Sequence, residues 1–278
     1  MNNDTVRALV DAGIHFGHRV GRWNPKMKPY IFCSRNSIHI INIKETVKGI
    51  VMAKRFLTDV VAGGKDVLFV GTKRQARMPI AGQAARCKMP YVCERWLGGT
   101  LTNFSTIRKR LGRLEELEAM EEKGQLATQS KKMESTLRRE LKKIKRNLDG
   151  IRAMDRLPGA LVIVDARREH LAVSEARKLN IPTVCLLDTD SDPDLVDIPI
   201  PCNDDAMRGI EIIVQEMADA VLAGKAGVVA GSAGADRPVR SGRRASTSQM
   251  AEAISQPQET DTQSASGGSD AAAETTGL

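Results

Sequence analysis

Short, almost continuously apolar runs are the feature that most constrains how this chain can fold. A strand that faces water on one side alternates apolar and polar residues, whereas a strand covered on both faces does not. Helical patterns separate these runs along the sequence. Together they predict an α/β body with a doubly wound, mainly parallel sheet and right-handed crossovers. The predicted strands are 67–70, 91–93, 160–164, 183–187 and 198–200, and the predicted helices are 44–62, 72–88, 167–180 and 204–222.

Two local signals add detail to this body. The run 38–43 predicts an accessory strand upstream of the first helix. Asn203 and Asp204 are residue types that cap helix N-termini, so we expect them to cap the helix 204–222.

The segment 105–151 breaks the alternation, because it is much longer than one crossover requires. Apolar residues recur in it every three or four positions, in two narrow stripes separated by a turn at 123–130. Such stripes predict an antiparallel helical hairpin, a coiled coil that projects from the body. Residues 105–150 hold 13 basic and 8 acidic residues, a net charge of +5. The stripes consist of Ile107, Leu111, Leu114, Leu117 and Met120, then Leu137, Leu141, Ile144, Leu148 and Ile151.

The composition changes at Ala226. From there on the chain is rich in Ala, Gly, Ser, Thr and Gln and has no aromatic residue, so we expect a disordered tail. The predicted organisation is a discontinuous α/β body (1–104 and 152–225), the hairpin (105–151) and the tail (226–278). The chain carries 42 basic and 34 acidic residues, or +8. The tail has four Arg and six acids, or −2, so the rest carries +10.

Several classes of protein are disfavoured by the residues that are missing. Five cysteines form no CxxC pair, which argues against a disulfide framework or a zinc knuckle. There is no apolar run of about 18 residues and no secretory signal, so we expect no membrane contact and a cytoplasmic location. The sequence has no nucleophile elbow, no HExxH motif and no partnered histidine base. We therefore expect neither an enzyme nor a bound cofactor or metal.

A first basic segment, 15–30, combines cations with a backbone broken by Gly and Pro. Such a segment can follow an irregular phosphate surface. Two other interpretations stay open: a solvated loop with Trp23 packed on the body, and a metal pair formed by His15 and His18, although no further ligand stands beside them. The candidate contacts are His15, His18, Arg19, Arg22, Trp23, Asn24, Lys26 and Lys28.

Two further basic segments follow strands. The sequence 71–74 lies between a strand and a helix, where phosphate binds in doubly wound sheets. Neither GxxxxGK[ST] nor GxGxxG is present, so RNA phosphate contact, a plain helix cap and a nucleotide pocket all remain possible. The glycine-containing segment 95–103 leads into a basic helix start, either as a polyanion site or as a hinge with salt bridges to Glu115, Glu116 and Glu118. The candidate contacts are Lys73, Arg74, Arg95, Trp96, Asn103, Arg108, Lys109, Arg110 and Arg113.

The acidic segment 188–197 resembles a calcium loop only superficially. Pro193 and Pro199 occupy the positions that require Gly and a bidentate Glu. Turn and cap chemistry is the favoured interpretation, ahead of a loose Mg²⁺ contact. Phosphorylation of Asp165 is weakly supported, because no Lys follows the last strand as it does in receiver folds.

Several of these segments resemble bacterial ribosomal protein S-two, a family of the small ribosomal subunit. The stretch 9–18 is similar to its N-terminal signature, and 158–165 with Glu169-His170, Glu175-Ala176 and 180–182 to its second signature. The resemblance covers about residues 5–224. It extends over 23–30, 69–74, 95–103, 191–194 and 201–206.

The resemblance implies a flavodoxin-like body with an inserted hairpin, bound to small-subunit ribosomal RNA and to other small-subunit proteins in the cytoplasm. It also implies a role in seating ribosomal protein S-one. The residues agree in kind, because nine aromatic residues are too few for a base-stacking platform, whereas basic loops and a basic hairpin suit the backbone of folded RNA. Two rival classes remain: a nucleotide-dependent enzyme using Gly71–Arg74, and a protein-only adaptor using the hairpin.

Overall fold

The computed structural model describes residues 3–125 and 130–234. Four 3₁₀ segments, at Val20–Arg22, Pro25–Tyr30, Asp149–Ile151 and Pro193–Leu195, lie between the main elements. The helices are α1 (Asn3–Asp11), α2 (Ile43–Ala62), α3 (Arg74–Cys87), α4 (Phe104–Glu122), α5 (Lys131–Leu148), α6 (His170–Lys178) and α7 (Met207–Gly234). The strands are β1 (Phe16–Arg19), β2 (Ile31–Arg35), β3 (Ile38–Ile41), β4 (Val67–Val70), β5 (Tyr91–Val92), β6 (Ala160–Val164), β7 (Thr183–Leu187) and β8 (Ile198–Pro201).

The main sheet has five strands in the order β5-β4-β6-β7-β8. Every neighbouring pair is parallel. In order of appearance the strands read 2-1-3-4-5, which is the order of flavodoxin-like doubly wound sheets. The predicted α/β class and mainly parallel sheet are therefore confirmed.

The two faces of the sheet explain why its strands are continuously apolar. Every residue of β4, β6 and β7 is buried. Successive residues of β4 enter different cores: Val67 and Phe69 contact the core with residues of α2, α3 and α7. Leu68 and Val70 contact the core with residues of α6 and the start of α4. A polar residue on either face is costly unless it finds a partner, as Thr183 at the start of β7 does by binding Asp197.

The helix ends differ from the predicted ones mainly at α7. This helix begins at Met207 and continues to Gly234, past Ala226, where the sequence predicts the tail. Residues 235–278 lie outside the described part. Asp204 does not cap this helix, because it is buried and binds Lys73. Asn203 instead accepts from the backbone N–H of Asp205 and donates to the carbonyl oxygen of Gly13.

A second, antiparallel sheet lies near the N-terminus, in the order β1-β3-β2. The predicted accessory strand is present as β3. The segment 15–30 is more regular than the predicted loop, since it contains β1 and two 3₁₀ segments. The turn between β2 and β3 is formed by Asn36 and Ser37, with φ of 51° and 60°. Two consecutive positive φ values are what a type I′ hairpin turn requires.

The two apolar stripes of 105–151 fall on α4 and α5. Ile107, Leu111 and Leu148 lie in the core that also contains Leu68 and Val70 of β4. Farther along, the stripes form a separate small cluster of Leu114, Leu117 and Leu141, with Met120, Leu137 and Ile144 packed against it. The stripes predicted from spacing are therefore the contact between the two helices. None of the described helices is long and apolar enough to cross a bilayer.

Candidate nucleic-acid interface

Three chain segments meet at the carboxyl edge of the main sheet, because parallel strands end on the same side. Lys73 follows β4 and reaches acids that follow β6 and β8. Its Nζ lies 2.7 Å from Asp204 Oδ1, 2.6 Å from Asp205 Oδ1 and 3.9 Å from Asp165 Oδ2. Lys73 was predicted to contact RNA, but in the structure its charge is compensated inside the protein. Arg74, the next residue, is exposed.

Burial and the neighbouring acids act on the carboxyl of Asp204. Burial has the largest effect, and the charges of Asp165 and Asp188 have the next largest. Together they raise the pKa of Asp204 to about 7, although Lys73 acts in the opposite direction. Burial lowers the pKa of Lys73, but its hydrogen bonds to Asp204 and Asp205 outweigh burial and leave that pKa raised. Lys73 therefore stays charged beside these acids.

Two of the four backbone N–H donors at 71–74, those of Gly71 and Thr72, already bind groups of the protein itself. The N–H of Thr72 donates to Glu169 Oε1 at 2.9 Å, so a buried carboxylate already occupies this donor. A Cβ at Gly71 would clash with Ile80 Cδ1, which shows how closely α3 packs on the strand end. The tight packing and the occupied donor favour a structural role over a nucleotide pocket.

The acidic segment 188–194 packs directly against the basic segment 15–30. The backbone N–H of Asn24 donates to the carbonyl oxygen of Thr189 at 2.8 Å. Lys26 Nζ lies 2.8 Å from both Asp192 Oδ2 and Asp194 Oδ2. The hydrogen bond to Asp192, then that to Asp194, raises the pKa of Lys26. Part of the charge assigned to RNA is thus compensated within the chain.

His18 and Arg22 are also paired with this segment. His18 Nδ1 lies 2.8 Å from Asp188 Oδ2, and Arg22 Nε lies 3.8 Å from Asp190 Oδ2. The contact with Asp188 outweighs burial and raises the pKa of His18 to about 9. His18, Asp188 and Asp204 each place one ligand atom within 4.8 Å of the others, so these three residues could hold a metal ion. His15 does not belong to this group.

Both tryptophans are packed on the body. Trp96 is buried, and its Nε1 donates to Glu175 Oε1 at 3.1 Å, so this indole N–H already has a partner within the protein. Trp23 is half-buried, with its ring centroid 5.1 Å from that of His39, as the alternative interpretation of the loop proposed. His15 is half-buried, with its ring 4.1 Å from that of Phe16.

Glu175 fixes the segment that follows Trp96. Its carboxylate accepts from the backbone N–H groups of Gly99 at 2.8 Å, Leu101 at 3.0 Å and Thr102 at 3.1 Å. The Thr102 hydroxyl adds a further bond at 3.1 Å. Burial would raise the pKa of Glu175, but these hydrogen bonds outweigh burial and lower it. Sequence reasoning noticed Glu175 only through the resemblance and gave it no role.

The remaining predicted contacts divide into paired and unpaired residues. Arg108 Nη2 lies 2.8 Å from Asp155 Oδ1, and Arg113 Nη1 lies 2.9 Å from Glu116 Oε2. The side chains of Asn24 and Asn103 accept hydrogen bonds from their own local turns. Among the described residues, six predicted cations are exposed and form no ion pair: Arg19, Lys28, Arg74, Arg95, Lys109 and Arg110.

A basic groove lies between the segment after β5 and helix α5. It has a volume of about 490 Å³. We call it the α5 groove, and it is lined by Glu94, Arg95, Arg139, Lys142, Lys143, Arg146 and Asn147. Sequence reasoning singled out Arg95 and counted the charge of the helix, but it did not single out Arg139, Lys142, Lys143 and Arg146. Their spacing of three and four along α5 is the signal that would have identified them.

Comparisons with known proteins identify what the chain resembles. A family model described as "Ribosomal protein S2" matches residues 9–224. Three relatives named "Small ribosomal subunit protein uS2" come from Rhodopirellula baltica, Acidothermus cellulolyticus and Nocardia farcinica. The first is 57% identical over 225 residues, covering 81% of this chain and 86% of the relative. The second is 55% identical over 221 residues, covering 79% and 80%. The third is 53% identical over 232 residues, covering 82% and 81%.

Proposed function

The chain belongs to the ribosomal protein S2 family, and we propose that it is a structural constituent of the small ribosomal subunit that binds ribosomal RNA. The family consists of structural proteins, so the expectation that the chain is not an enzyme is confirmed. Its proposed partners are small-subunit ribosomal RNA and other proteins of the subunit, and it is proposed to be ribosome-bound.

The observation that carries the RNA proposal is the division of the cations into two groups. Lys73, Lys26 and His18 contact acids of the chain itself. Other cations, such as Arg74, Arg95 and Arg110, are exposed and form no ion pair within the described residues. Free Lys and Arg side chains on a rigid body bind phosphates and release counterions. In this mechanism the protein holds folded RNA in place and carries out no chemical step.

The contacts at 71–74 give less support to the alternative of a nucleotide-dependent enzyme than to RNA binding. It requires free donors at 71–74, whereas Thr72 binds Glu169 and Lys73 binds acids. The protein-only adaptor remains the rival. It would use α4 and α5, which we propose form the projecting antiparallel hairpin.

We further propose that the chain helps to seat ribosomal protein S-one, as the family resemblance implies. The support is the family and the leucine cluster between α4 and α5, which can hold the two helices as one rigid arm. Small subunits lacking this chain should then retain less S-one, and adding the purified chain should restore it. Unchanged S-one content would contradict this part of the proposal.

Co-sedimentation tests the main proposal. The purified chain should sediment with small subunits that lack it, and raising the salt concentration should release it, because phosphate contacts compete with cations. Binding that persists after nuclease digestion of exposed RNA would instead support the protein-only adaptor. A chain that never sediments with the subunit would overturn the proposal.

Neutralising Lys109 and Arg110 at the start of α4 should weaken RNA binding. Each lost phosphate contact lowers the slope of log affinity against log salt by roughly 0.7–0.9, so the double change to Gln should lower it by about 1.4–1.8. Arg108→Gln should have a smaller effect on the slope, because Asp155 already compensates this arginine. Equal slopes for the double variant and the wild type would remove this helix start from the interface.

A further inference from the structure

We infer that the α5 groove is a distinct binding site for the phosphate backbone of ribosomal RNA, formed by Arg95, Arg139, Lys142 and Lys143. The inference rests on the proposed RNA-binding function and assigns it to a place that the basic loop 15–30 does not include.

The groove residues of α5 share one face of the helix. Arg139, Lys142, Lys143 and Arg146 stand at positions i, i+3, i+4 and i+7, which brings their side chains to the same side. At a rise of about 1.5 Å per residue, the first and last of them are about 10 Å apart along the axis. The apolar stripe of the same helix, including Leu141 and Leu148, is buried in the two cores. The cations are therefore presented on a fixed support.

The charge of the groove is mostly uncompensated. Arg146 Nη2 lies 2.6 Å from Glu94 Oε2, which also accepts from Arg77 Nη1 at 3.2 Å. Arg95, Arg139, Lys142 and Lys143 are exposed and have no ionic partner within residues 3–125 and 130–234. Glu94 is the one acid in the lining, so five cations and one acid leave a net charge of +4.

This concentration of charge disfavours the folded chain on its own. Like charges three or four residues apart on a helix cost about 0.2–0.5 kcal/mol per pair, and none of these four side chains is buried. Binding of an external anion would remove this repulsion. The loop 15–30 differs in this respect, because Asp188, Asp192 and Asp194 already supply counter-charges there.

The lining favours a nucleic-acid backbone over an acidic protein segment. Protein interfaces are enriched in aromatic residues and depleted in Lys. The α5 groove contains two lysines, three arginines and one amide, and no aromatic residue. A neighbouring cavity of about 340 Å³ shares Lys143 and Asn147 with it, and its other charged lining residues are Arg110, Arg113 and the acid Glu140. The basic surface thus extends from Arg95 across α5 to the start of α4, as an extended polyanion requires.

The test is a triple variant of the full chain, Arg139→Gln, Lys142→Gln and Lys143→Gln. Its binding to small subunits that lack this chain is measured between about 0.05 and about 0.4 M salt. At roughly 0.7 per contact, the log–log slope should fall by about 2, which corresponds to about 100-fold weaker binding near 0.1 M salt. The control carries Lys44→Gln, Arg55→Gln and Lys88→Gln, exposed positions with the same change in charge, of which Lys44 and Arg55 lie on α2 and Lys88 follows α3.

The outcomes separate this inference from the proposed function. If the wild type binds and the triple variant keeps the affinity and slope of the control, the α5 groove is not a site, although the proposed function stands. If the wild type does not bind the subunits, the proposed function itself fails. A photo-reactive side chain at position 147 should cross-link to ribosomal RNA and give an adduct that ribonuclease digests. An adduct with a ribosomal protein would assign the groove to a protein partner and overturn the inference.

Discussion

Replacing Glu175 with Ala is expected to lower the free energy of unfolding by about 3–5 kcal/mol. The change leaves the backbone donors of Gly99, Leu101 and Thr102 and the indole N–H of Trp96 without their acceptor. Each buried donor left unsatisfied costs about 1–3 kcal/mol, part of which entering water recovers. A loss of this size in a domain of this length should lower Tm by about 10 °C.

The effect should concentrate in the segment 97–102. Amide hydrogen exchange there should accelerate far more than in β6 or β7, whose residues are buried in the sheet. Glu175→Gln should fall between wild type and Glu175→Ala, because Gln keeps one acceptor oxygen but turns an NH₂ group towards backbone donors. Lys178→Ala, an exposed position on the same helix, is the control and should change stability by less than about 0.5 kcal/mol. A change in Glu175→Ala no larger than in this control would contradict the role assigned to the carboxylate.

Lys73→Met should be the second strongly destabilising change, with a cost of about 3 kcal/mol at pH 8. Met has a similar length but no charge, so it leaves Asp204 and Asp165 facing each other without a cation. Removing one partner of a buried ion pair typically costs about 3–5 kcal/mol; the partial exposure of Asp205 moderates the loss. Arg74→Met, the adjacent exposed cation, is the matched control and should be nearly neutral.

The cost of Lys73→Met should depend on pH in a defined direction. The folded-state pKa of Asp204 is raised to about 7 from an ordinary value of 3.8, so protonation of Asp204 stabilises the folded state. Without Lys73 that pKa should rise further. The variant should therefore be close to wild type near pH 5 and lose stability as the pH rises through 7, measured by denaturant unfolding in the presence of a chelator. A difference from wild type that stays constant between pH 5 and 8 would show that the lost contact is not electrostatic.

The sheet was predictable because its cause is local. Continuous apolar runs such as 160–164 can be satisfied only by cover on both faces, and α2 and α3 lie within two residues of their predicted ends. Strand β1 was missed because Phe16–Arg19 has neither an apolar run nor a clear alternation. It is a strand because β3 supplies its hydrogen-bonding partners.

The site was harder to predict because its contacts are long-range. The pairing of Lys26 with Asp192 joins positions 166 residues apart, and no local pattern marks it. The contact of Lys73 with Asp204 was within reach of topology alone, since both follow parallel strands of one sheet. The partner of the Trp96 indole could not be predicted from the sequence either, because Glu175 lies on α6, 79 residues away. The division into paired and free cations thus depends on the tertiary structure and not on composition.

The packing of the segment 188–194 against the segment 15–30 has a consequence for how the protein approaches its target. Ion pairing there compensates Lys26, His18 and Arg22, so the cations around Arg95 and α5 carry a larger share of the uncompensated positive charge. A protein with an uneven charge distribution is oriented by the field of a polyanion before contact, which raises the fraction of encounters that lead to binding. Acids that lie outside the α5 groove would in this way influence which side of the protein first meets its target.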